Sequence, residues 1–349
     1  MKIKTLKEKV QVFVCDPEIV LRHPISGQDF YLQSIITFMR EHGFKVLVVH
    51  PHDIKALSNR ISSDGNDLYL HMHYVGFNDI MLSRILFPKS MRLLYVYQLD
   101  DPTWSCYGKY RHCAFLHLTA FSKLIDYYVT PSYDLSKKLS LIVGPNNVKT
   151  LEPYYPCDET FHNFLVDKKA KDLEEKLLNV LYIGRINKYR IDLALTINAL
   201  KALANRGFNV RFQIISMKEM GLSTQYKIFN SGKLRVELIG KRLTEDEKTE
   251  IYVQSHILLF ITKGYPAMRP PLSIIESVRY GVVPIISPSI TEFMHINDIV
   301  VKNSGSKALI ESIEHITNMF RVVSKKVFIS FKRFYCKERF LQQLLSILR

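Results

Sequence analysis

The sequence lacks the features of a membrane or secreted protein. None of its apolar runs reaches the about 18 to 20 residues that a membrane-spanning helix needs. Residues 1–10 carry charges but no apolar signal core. The five cysteines are scattered and odd in number, which favours reduced thiols over a disulfide framework. We therefore expect a cytoplasmic protein, with a location at the inner face of the membrane as an open option.

Two common kinds of site are also missing. Cys106 and Cys113 lie near His112 and His117, but their spacing fits no standard zinc site. No Gly-x-Gly-x-x-Gly pattern opens either half of the chain, which argues against a nicotinamide-dependent dehydrogenase. We therefore predict neither a metal centre nor a nicotinamide site.

Positive charge, in contrast, is abundant. The 349 residues carry a net charge of +15, while 47% of them are hydrophobic and 23% are charged, which is the balance of a folded protein. Such an excess of positive charge attracts nucleic acid, anionic lipid headgroups or phosphorylated substrates. A basic but merely solvated surface explains the charge equally well, so composition alone selects no partner.

Strand-like and helix-like segments alternate along the whole chain. Predicted strands cover residues 10–14, 45–50, 67–73, 92–97, 126–130, 179–183, 210–215, 234–239, 257–262 and 282–286. Predicted helices cover residues 29–42, 192–206, 244–254 and 271–280, and a further helix is capped by Ser132. Strands that alternate with helices predict an α/β fold with mostly parallel sheets covered on both faces.

The length of the chain suits two domains. Residues 148–175 contain prolines and no clear periodicity, which indicates a connection between domains. We predict an N-terminal Rossmann-like domain over residues 1–155 and a second one over residues 156–324. Residues 325–349 are predicted to form a C-terminal helix, with a return to the N-terminal domain as an option.

The stretch from Arg269 to Gly281 is the most informative segment. Pro271 suits a first helical turn, and Gly281 suits the left-handed position after a helix. A helix that starts at the carboxyl end of a parallel strand favours phosphate near its free N–H groups. Glu276, more than a turn into this helix, would then suit the two hydroxyls of a ribose. The alternative is that Glu276 is one polar residue on a solvated helix face.

Other candidate positions follow predicted strands. Arg185, Lys188 and Arg190 come after Gly184, where cations can neutralise a diphosphate, although basic loops are common. Gly27 would let a ligand approach the backbone in the first loop, or would simply form a turn.

Three polar side chains lie at strand ends of the first half: His73, Gln98 and Asp100. Each of them is a candidate to face a ligand cleft. The alternatives are a satisfied core histidine at position 73 and a turn or helix cap at the Asp-Asp-Pro segment.

With these motifs, the chain resembles nucleotide-sugar glycosyltransferases of the GT-B fold, in particular the large retaining family usually numbered four. The resemblance covers nearly the whole chain. It rests on four segments: residues 153–161, 182–185, 236–240 and 271–284. It implies two Rossmann-like domains with doubly wound parallel sheets that face a central cleft.

The resemblance also implies roles for individual residues. Arg185 and Arg190 would hold the donor diphosphate, Glu276 the ribose, and residues 240–243 the base. The positions that it assigns to the donor are Gly27, Gly184, Arg185, Lys188, Arg190, Gly240, Arg242, Leu243, Met268, Arg269, Pro271, Leu272, Ser273 and Glu276. No cofactor and no metal are implied, because cations and helix dipoles replace the metal in this fold.

Three features depart from the family pattern, and the first is Ser26-Gly27 in place of the usual double glycine of the first loop. Met268 stands where the family usually has a glutamate that contacts the donor sugar, and Gln98 stands where it often has a histidine. The candidate catalytic residues are Gln98, Asp100 and His73. The sugar identity and the full catalytic assignment are therefore open.

The expected function is metal-independent transfer of a sugar from a nucleotide-diphosphate donor, UDP- or GDP-linked, with retention. The acceptor would be a hydroxyl of a glycan, a lipid-linked molecule or another substrate, bound mainly by the first domain, and contact with an anionic membrane is an option. The alternatives are a sugar-nucleotide epimerase, a phosphorylase, or a catalytically impaired GT-B-like protein that binds nucleic acid or an anionic surface. Nucleic acid is disfavoured, because no recognition motif for it is present.

Overall fold

The computed structural model describes most of the chain. The described residues are 8–15, 17–18, 27–58, 68–73, 77–96, 123–156, 158–184, 186, 191–216, 226–241, 243–261, 272–288, 296–301 and 305–348. The chain divides into Met1–Pro156 with Tyr335–Arg349, called the first unit, and Cys157–Phe334, called the second unit. Each unit contains one six-stranded sheet, and the predicted α/β fold is confirmed.

The sheet of the first unit has the strand order β2-β1-β3-β4-β5-β6, and its described pairs are parallel. Its strands are β1 (Val10–Val14), β2 (Lys45–Val49), β3 (Leu68–Met72), β4 (Met91–Tyr95), β5 (Tyr127–Thr130) and β6 (Val148–Thr150). Its first helices are α1 (Gly27–Glu41), α2 (Ile54–Ser58), α3 (Phe77–Leu86) and α4 (Tyr133–Val143). The five predicted strands are present, and the three-residue β6 was not predicted.

Helices cover both faces of this sheet. Successive residues of a strand point to opposite faces. Phe13 lies in the core cluster that α1 covers, whereas its neighbour Val12 lies in the cluster that α2, α3 and α4 cover. The Ser132 side chain caps α4 by accepting a hydrogen bond from the Leu135 N–H at 3.3 Å, as predicted. Burial on both faces explains why these strands are almost continuously apolar.

The sheet of the second unit has the order β12-β11-β7-β8-β10-β9, and β9 is antiparallel to β10. Its strands are β7 (Leu177–Ile183), β8 (Asn209–Ile215), β9 (Tyr226–Ser231), β10 (Leu234–Ile239), β11 (Ile257–Phe260) and β12 (Val283–Ile286). Its helices are α5 (Glu159–Glu174), α6 (Leu193–Asn205), α7 (Glu245–Gln254), α8 (Leu272–Arg279), α9 (Ser306–Asn318) and α10 (Phe320–Tyr335). The antiparallel β9 was not predicted.

Helix α5 corrects the prediction of an irregular connection over residues 148–175. It spans 16 residues, and its N-cap is Asp158, whose side chain accepts a hydrogen bond from the Phe161 N–H at 3.0 Å. Its buried face includes His162 and Lys169 beside apolar residues such as Leu165. Because two ionisable residues occupy core positions, the apolar periodicity that indicates a helix is broken in the sequence.

The C-terminal segment forms two helices where one was predicted over residues 325–349. Helix α10 ends at Tyr335, Cys336 is extended, and α11 (Lys337–Ile347) follows. Helix α11 buries Phe340 and Leu344 in the α1 cluster of the first unit. Within the residues that the structure describes, no helix is both long and apolar enough to span a bilayer.

Candidate functional site

The carboxyl ends of parallel strands meet at one edge of the second unit's sheet. Gly184 directly follows β7, and Gly240 directly follows β10, with β8 between these strands. A methyl group on Gly184 would come within 3.1 Å of the Tyr182 hydroxyl oxygen, so a side chain there would be crowded. In open α/β sheets, ligands bind at this edge. The predicted donor positions Gly184 and Gly240 therefore share one edge of the sheet.

Helix α8 begins at Leu272 and lies largely inside the unit. Ser273 and Glu276 are buried, and Glu276 retains only 8% of its surface. After the helix, Gly281 adopts a left-handed φ of 66°, as predicted, and a methyl group there would lie 2.9 Å from Val166 Cγ2. The alternative of a solvated helix face for Glu276 is therefore wrong.

Two side chains of α7 hold the Glu276 carboxylate. Lys248 Nζ lies 3.1 Å from Oε1, and the Tyr252 hydroxyl donates to Oε2 at 3.0 Å. Lys248 also pairs with Glu245 at 3.0 Å. Although burial opposes its charge, Glu276 and Glu245 raise the pKa of Lys248 above its ordinary value. The site thus contains a buried carboxylate with a charged partner on a neighbouring helix.

A capping box fixes the start of α7 beside the predicted base-binding segment. Thr244 Oγ1 accepts from the Glu247 N–H at 3.2 Å, and Glu247 Oε2 accepts from the Thr244 N–H at 2.8 Å. The Lys241 ammonium and the Thr244 N–H lower the pKa of Glu247. Lys241 and Thr244 are therefore both tied to the helix that carries Lys248.

A cavity of about 420 Å³ opens between α7 and the strands β8 and β10. This volume lies in the range of about 300 to 1,000 Å³ that is common for ligand pockets. Lys241 and Leu243 line the cavity, together with Arg211 and Gln213 from β8. The last two donate to the buried carboxylate of Glu237, Arg211 through two hydrogen bonds of 3.0 and 2.8 Å. Burial would raise the pKa of Glu237, but Arg211, Gln213 and Arg235 lower it below its ordinary value.

A buried lysine joins α7 and α8. Lys169 of α5 is 1% exposed, and its ammonium donates to the Tyr252 carbonyl at 2.9 Å and to the Tyr280 carbonyl at 2.6 Å. Both carbonyls lie near helix C-termini, where a cation is favourable. Burial lowers the pKa of Lys169, and Asp172 opposes this effect. Lys169 therefore fixes the two helices whose side chains surround Glu276.

In the first unit, His73 lies in a buried aromatic cluster. Its ring stacks on Tyr95 at 4.0 Å between centroids and lies 6.0 Å from that of Phe13. Burial, and then the nearby His71, lower the pKa of His73. His71 contacts the Tyr95 hydroxyl and Gln11 Oε1, both at 2.9 Å, and burial lowers its pKa to about 3. This geometry agrees with a core histidine at position 73, and its catalytic role stays a prediction.

The structure describes only part of the predicted site. The predicted residues that lie outside the described ranges are Gln98, Asp100, Arg185, Lys188, Arg190, Arg242, Met268, Arg269 and Pro271. Gly27 is described as the first residue of α1. Among the predicted residues that the structure describes, Glu276 contacts α7 through its carboxylate. Helix α7 begins at Glu245, shortly after the predicted donor positions Gly240 and Leu243.

Sequence reasoning missed Lys248, Tyr252 and Lys169. The first two lie four residues apart on a predicted helix, and this spacing places them on one face. That signal was available, but nothing in the sequence pairs them with Glu276. Lys169 lies in the segment that was predicted to be irregular, so no pattern pointed to it.

Part of the second unit is similar to a known protein family. Residues 178–318 match the profile of a family described as Glycosyl transferases group 1. This range includes all but the first residue of β7, the capping box of α7, and α8 with Glu276. No curated protein sequence matches the chain significantly.

Solved structures extend the similarity to both units. HepE of Anabaena, in complex with UDP and glucose, has a TM-score of 0.59 at 11% identity, over 98% of this chain and 99% of HepE. An α-glucosyltransferase, in complex with UDP-glucose and DNA containing an abasic site, has a TM-score of 0.63 at 11% identity, over 97% and 98% of the two chains. Trehalose 6-phosphate synthase of Burkholderia multivorans has a TM-score of 0.57 at 9% identity, over 92% and 79%. At these identities the likeness concerns the fold, and the chain has the GT-B fold of these proteins.

Proposed function

We propose that the protein is a glycosyltransferase that moves a sugar from a nucleotide-diphosphate donor to an acceptor hydroxyl, with retention and without a metal. The observation that carries this proposal is the buried Glu276 carboxylate on α8, held by Lys248 and Tyr252 within the segment that matches the group 1 profile. A carboxylate accepts hydrogen bonds only, so it suits the paired hydroxyls of a sugar ring.

The second unit would bind the donor. Glu276 accepts the ribose hydroxyls, and Gly240, Arg242 and Leu243 take the base beside the cavity under α7. The N-terminus of α8, with Leu272 and Ser273, favours the phosphates. The remaining donor contacts that we propose are Gly27, Gly184, Arg185, Lys188, Arg190, Met268, Arg269 and Pro271.

We propose UDP as the donor nucleotide, ahead of GDP. HepE and the α-glucosyltransferase, which share the fold, were solved with UDP or UDP-glucose. In the transfer step, cations and helix N–H groups would stabilise the negative charge that develops on the leaving diphosphate. Gln98, Asp100 and His73 remain the proposed catalytic residues on the acceptor side.

The proposed acceptor is a glycan or a lipid-linked hydroxyl at an anionic membrane surface. The net charge of +15 supports this choice. Helix α4 of the first unit exposes Tyr133 by 69% and Leu141 by 85%, and Lys137 and Lys138 lie between them. Exposed apolar side chains beside lysines suit the interface of an anionic bilayer. Flotation with phosphatidylserine vesicles should recover the wild type, and Lys137→Glu/Lys138→Glu should reduce the bound fraction; equal recovery of both would contradict this surface.

Calorimetry of the wild type against UDP, GDP, ADP and dTDP tests the donor proposal. Selective binding of UDP, and release of UDP from a UDP-sugar when an acceptor extract is added, is the expected result. Binding of none of the four nucleotides would refute the donor site and favour the impaired binding protein. Isomerisation of the bound UDP-sugar without transfer would instead favour the epimerase.

A further inference from the structure

The hydrogen bonds around Glu276 leave defined acceptor positions on its carboxylate. An ionised carboxylate has about four lone-pair sites, two on each oxygen. Lys248 occupies one site on Oε1, and the Tyr252 hydroxyl occupies one site on Oε2. Among the contacts made by the residues that the structure describes, one acceptor site therefore remains on each oxygen, and these two contacts orient the carboxylate plane.

Two neighbouring acceptor sites match two neighbouring donors. The 2′ and 3′ hydroxyls of a ribose present two O–H groups side by side, whereas a 2′-deoxyribose presents one. A site that is built to accept a hydroxyl rejects an analogue without it, because a buried polar group is then left unpaired. Such selection requires that the carboxylate keep both its charge and its orientation.

We propose that Lys248 is a positioning residue that makes the donor site select ribonucleotides over 2′-deoxyribonucleotides, with Tyr252 as its partner. This inference rests on the proposed function and adds two residues to it. Lys248 fixes Oε1 and supplies positive charge to a carboxylate that is only 8% exposed. Tyr252 fixes Oε2 from the next turn of the same helix.

The charge of Lys248 is as important as its hydrogen bond. A buried carboxylate that loses its opposite charge also loses the compensation for its lost hydration. Without Lys248, Oε1 of Glu276 would lose the hydrogen bond that orients it for a ribose hydroxyl. Removal of Lys248 should therefore weaken UDP binding specifically through the ribose, whereas the diphosphate and the base keep their own contacts.

The test compares UDP with 2′-deoxy-UDP by calorimetry on the full-length protein. The variants are Lys248→Met, Lys248→Arg and Tyr252→Phe. The matched control is Lys326→Met, which removes a lysine of the same unit that pairs with Asp298 at 3.0 Å. Because both ligands carry the same diphosphate and base, the ratio of their dissociation constants isolates the ribose contact. Thermal unfolding of each variant confirms that it is folded.

The wild type and Lys326→Met should prefer UDP over 2′-deoxy-UDP by at least about tenfold. In Lys248→Met the ratio of the dissociation constants of 2′-deoxy-UDP and UDP should fall towards one, because UDP binds more weakly. Lys248→Arg should keep most of the preference for UDP. The preference of Tyr252→Phe for UDP should lie between that of the wild type and that of Lys248→Met. This variant provides the test if Lys248→Met does not fold. A folded Lys248→Met with the wild-type ratio would overturn the inference and leave Lys248 as a structural link between helices. A wild type that binds neither nucleotide would instead refute the proposed function.

Discussion

The two units differ in how they stabilise buried polar groups near their six-stranded sheets. In the first unit, His71 and His73 are buried and uncharged beside Tyr95. In the second unit, the buried carboxylate of Glu276 keeps a charged partner, Lys248. Buried charge is tolerated where an opposite charge and hydrogen bonds compensate for the loss of water. The same framework thus produces an aromatic core in one unit and a charged, ligand-compatible site in the other, which supports donor binding by the second unit.

Acidification should produce the largest change in the free energy of unfolding, because both units bury neutral histidines. Burial lowers the pKa of His71 and His256 to about 3 and that of His162 to about 4. Unfolded imidazoles titrate near 6.5, so below that pH the unfolded chain binds more protons. The free energy of unfolding should therefore fall as the pH drops below about 6.5, by up to about 1.4 kcal/mol per pH unit for each histidine.

Urea unfolding between pH 6.5 and pH 5.5 measures this slope before most carboxylates begin to titrate. His71→Gln should reduce the slope, whereas the control His52→Gln, at an exposed position, should not. A free energy of unfolding that does not change over this interval would show that the buried histidines are not neutral as described.

Loss of the buried cation of the second unit should have the next largest effect. Lys169→Met removes the donor from the Tyr280 carbonyl and from the Tyr252 carbonyl, and the latter also accepts from the Ser255 N–H at 3.2 Å. Loss of the Lys169 hydrogen bond to the Tyr280 carbonyl, and of the link between α7 and α8, should lower the free energy of unfolding by about 2 kcal/mol. Lys168→Met, at the exposed neighbouring position, is the matched control. Equal stability of both variants would contradict this prediction. It would show that the cost of burying the Lys169 charge is as large as the contribution of its hydrogen bonds.

The turn after α8 allows a finer test of how Glu276 is presented. Gly281→Ala places a side chain at a φ of 66° and against Val166, and it should cost more than about 1 to 2 kcal/mol. Gly232→Ala has a similar φ of 59° but nothing within 4 Å, so it should show the backbone cost alone. Thermal unfolding compares the two variants. If Gly281→Ala costs no more than Gly232→Ala, then α5 does not restrict this turn.

The smallest predicted effect concerns the cap of α7. Thr244→Ala removes the side chain that accepts from the Glu247 N–H, and it should cost about 1 kcal/mol. Thr160→Ala, at an exposed position in the first turn of α5, changes the same residue type without removing a described cap. A difference of less than a few tenths of a kcal/mol between these variants in urea unfolding would contradict a stabilising role for the capping box.

Much of the fold could be predicted because it depends on local signals. Buried parallel strands such as residues 10–14 and 257–260 are short apolar runs in the sequence. The start of α7 is indicated by the capping-box residues Thr244 and Glu247. Helix α5 could not be predicted, because His162 and Lys169 occupy its buried face and their partners are distant in sequence. Burial of ionisable groups depends on tertiary partners, which no local pattern encodes.

The candidate site shows the same limit. The helix around Glu276 and the glycine that follows it could be predicted from their spacing, and the structure has both. The contacts of Glu276 with Lys248 and Tyr252 join residues 28 and 24 positions apart on separate helices. The spacing of Lys248 and Tyr252 predicts a common face but not what that face contacts.

The most direct test of the donor site is calorimetric titration of UDP into the wild type and Glu276→Gln, with Glu314→Gln as the control. Glu314 is a carboxylate of the same unit that pairs with Arg206 away from α8. Glu276→Gln should weaken UDP binding by about tenfold or more, because hydrogen bonds to a charged acceptor contribute about 1.5 to 3 kcal/mol. Glu314→Gln should bind UDP like the wild type. Equal affinities of all three proteins for UDP would contradict the assignment of Glu276 to the donor ribose.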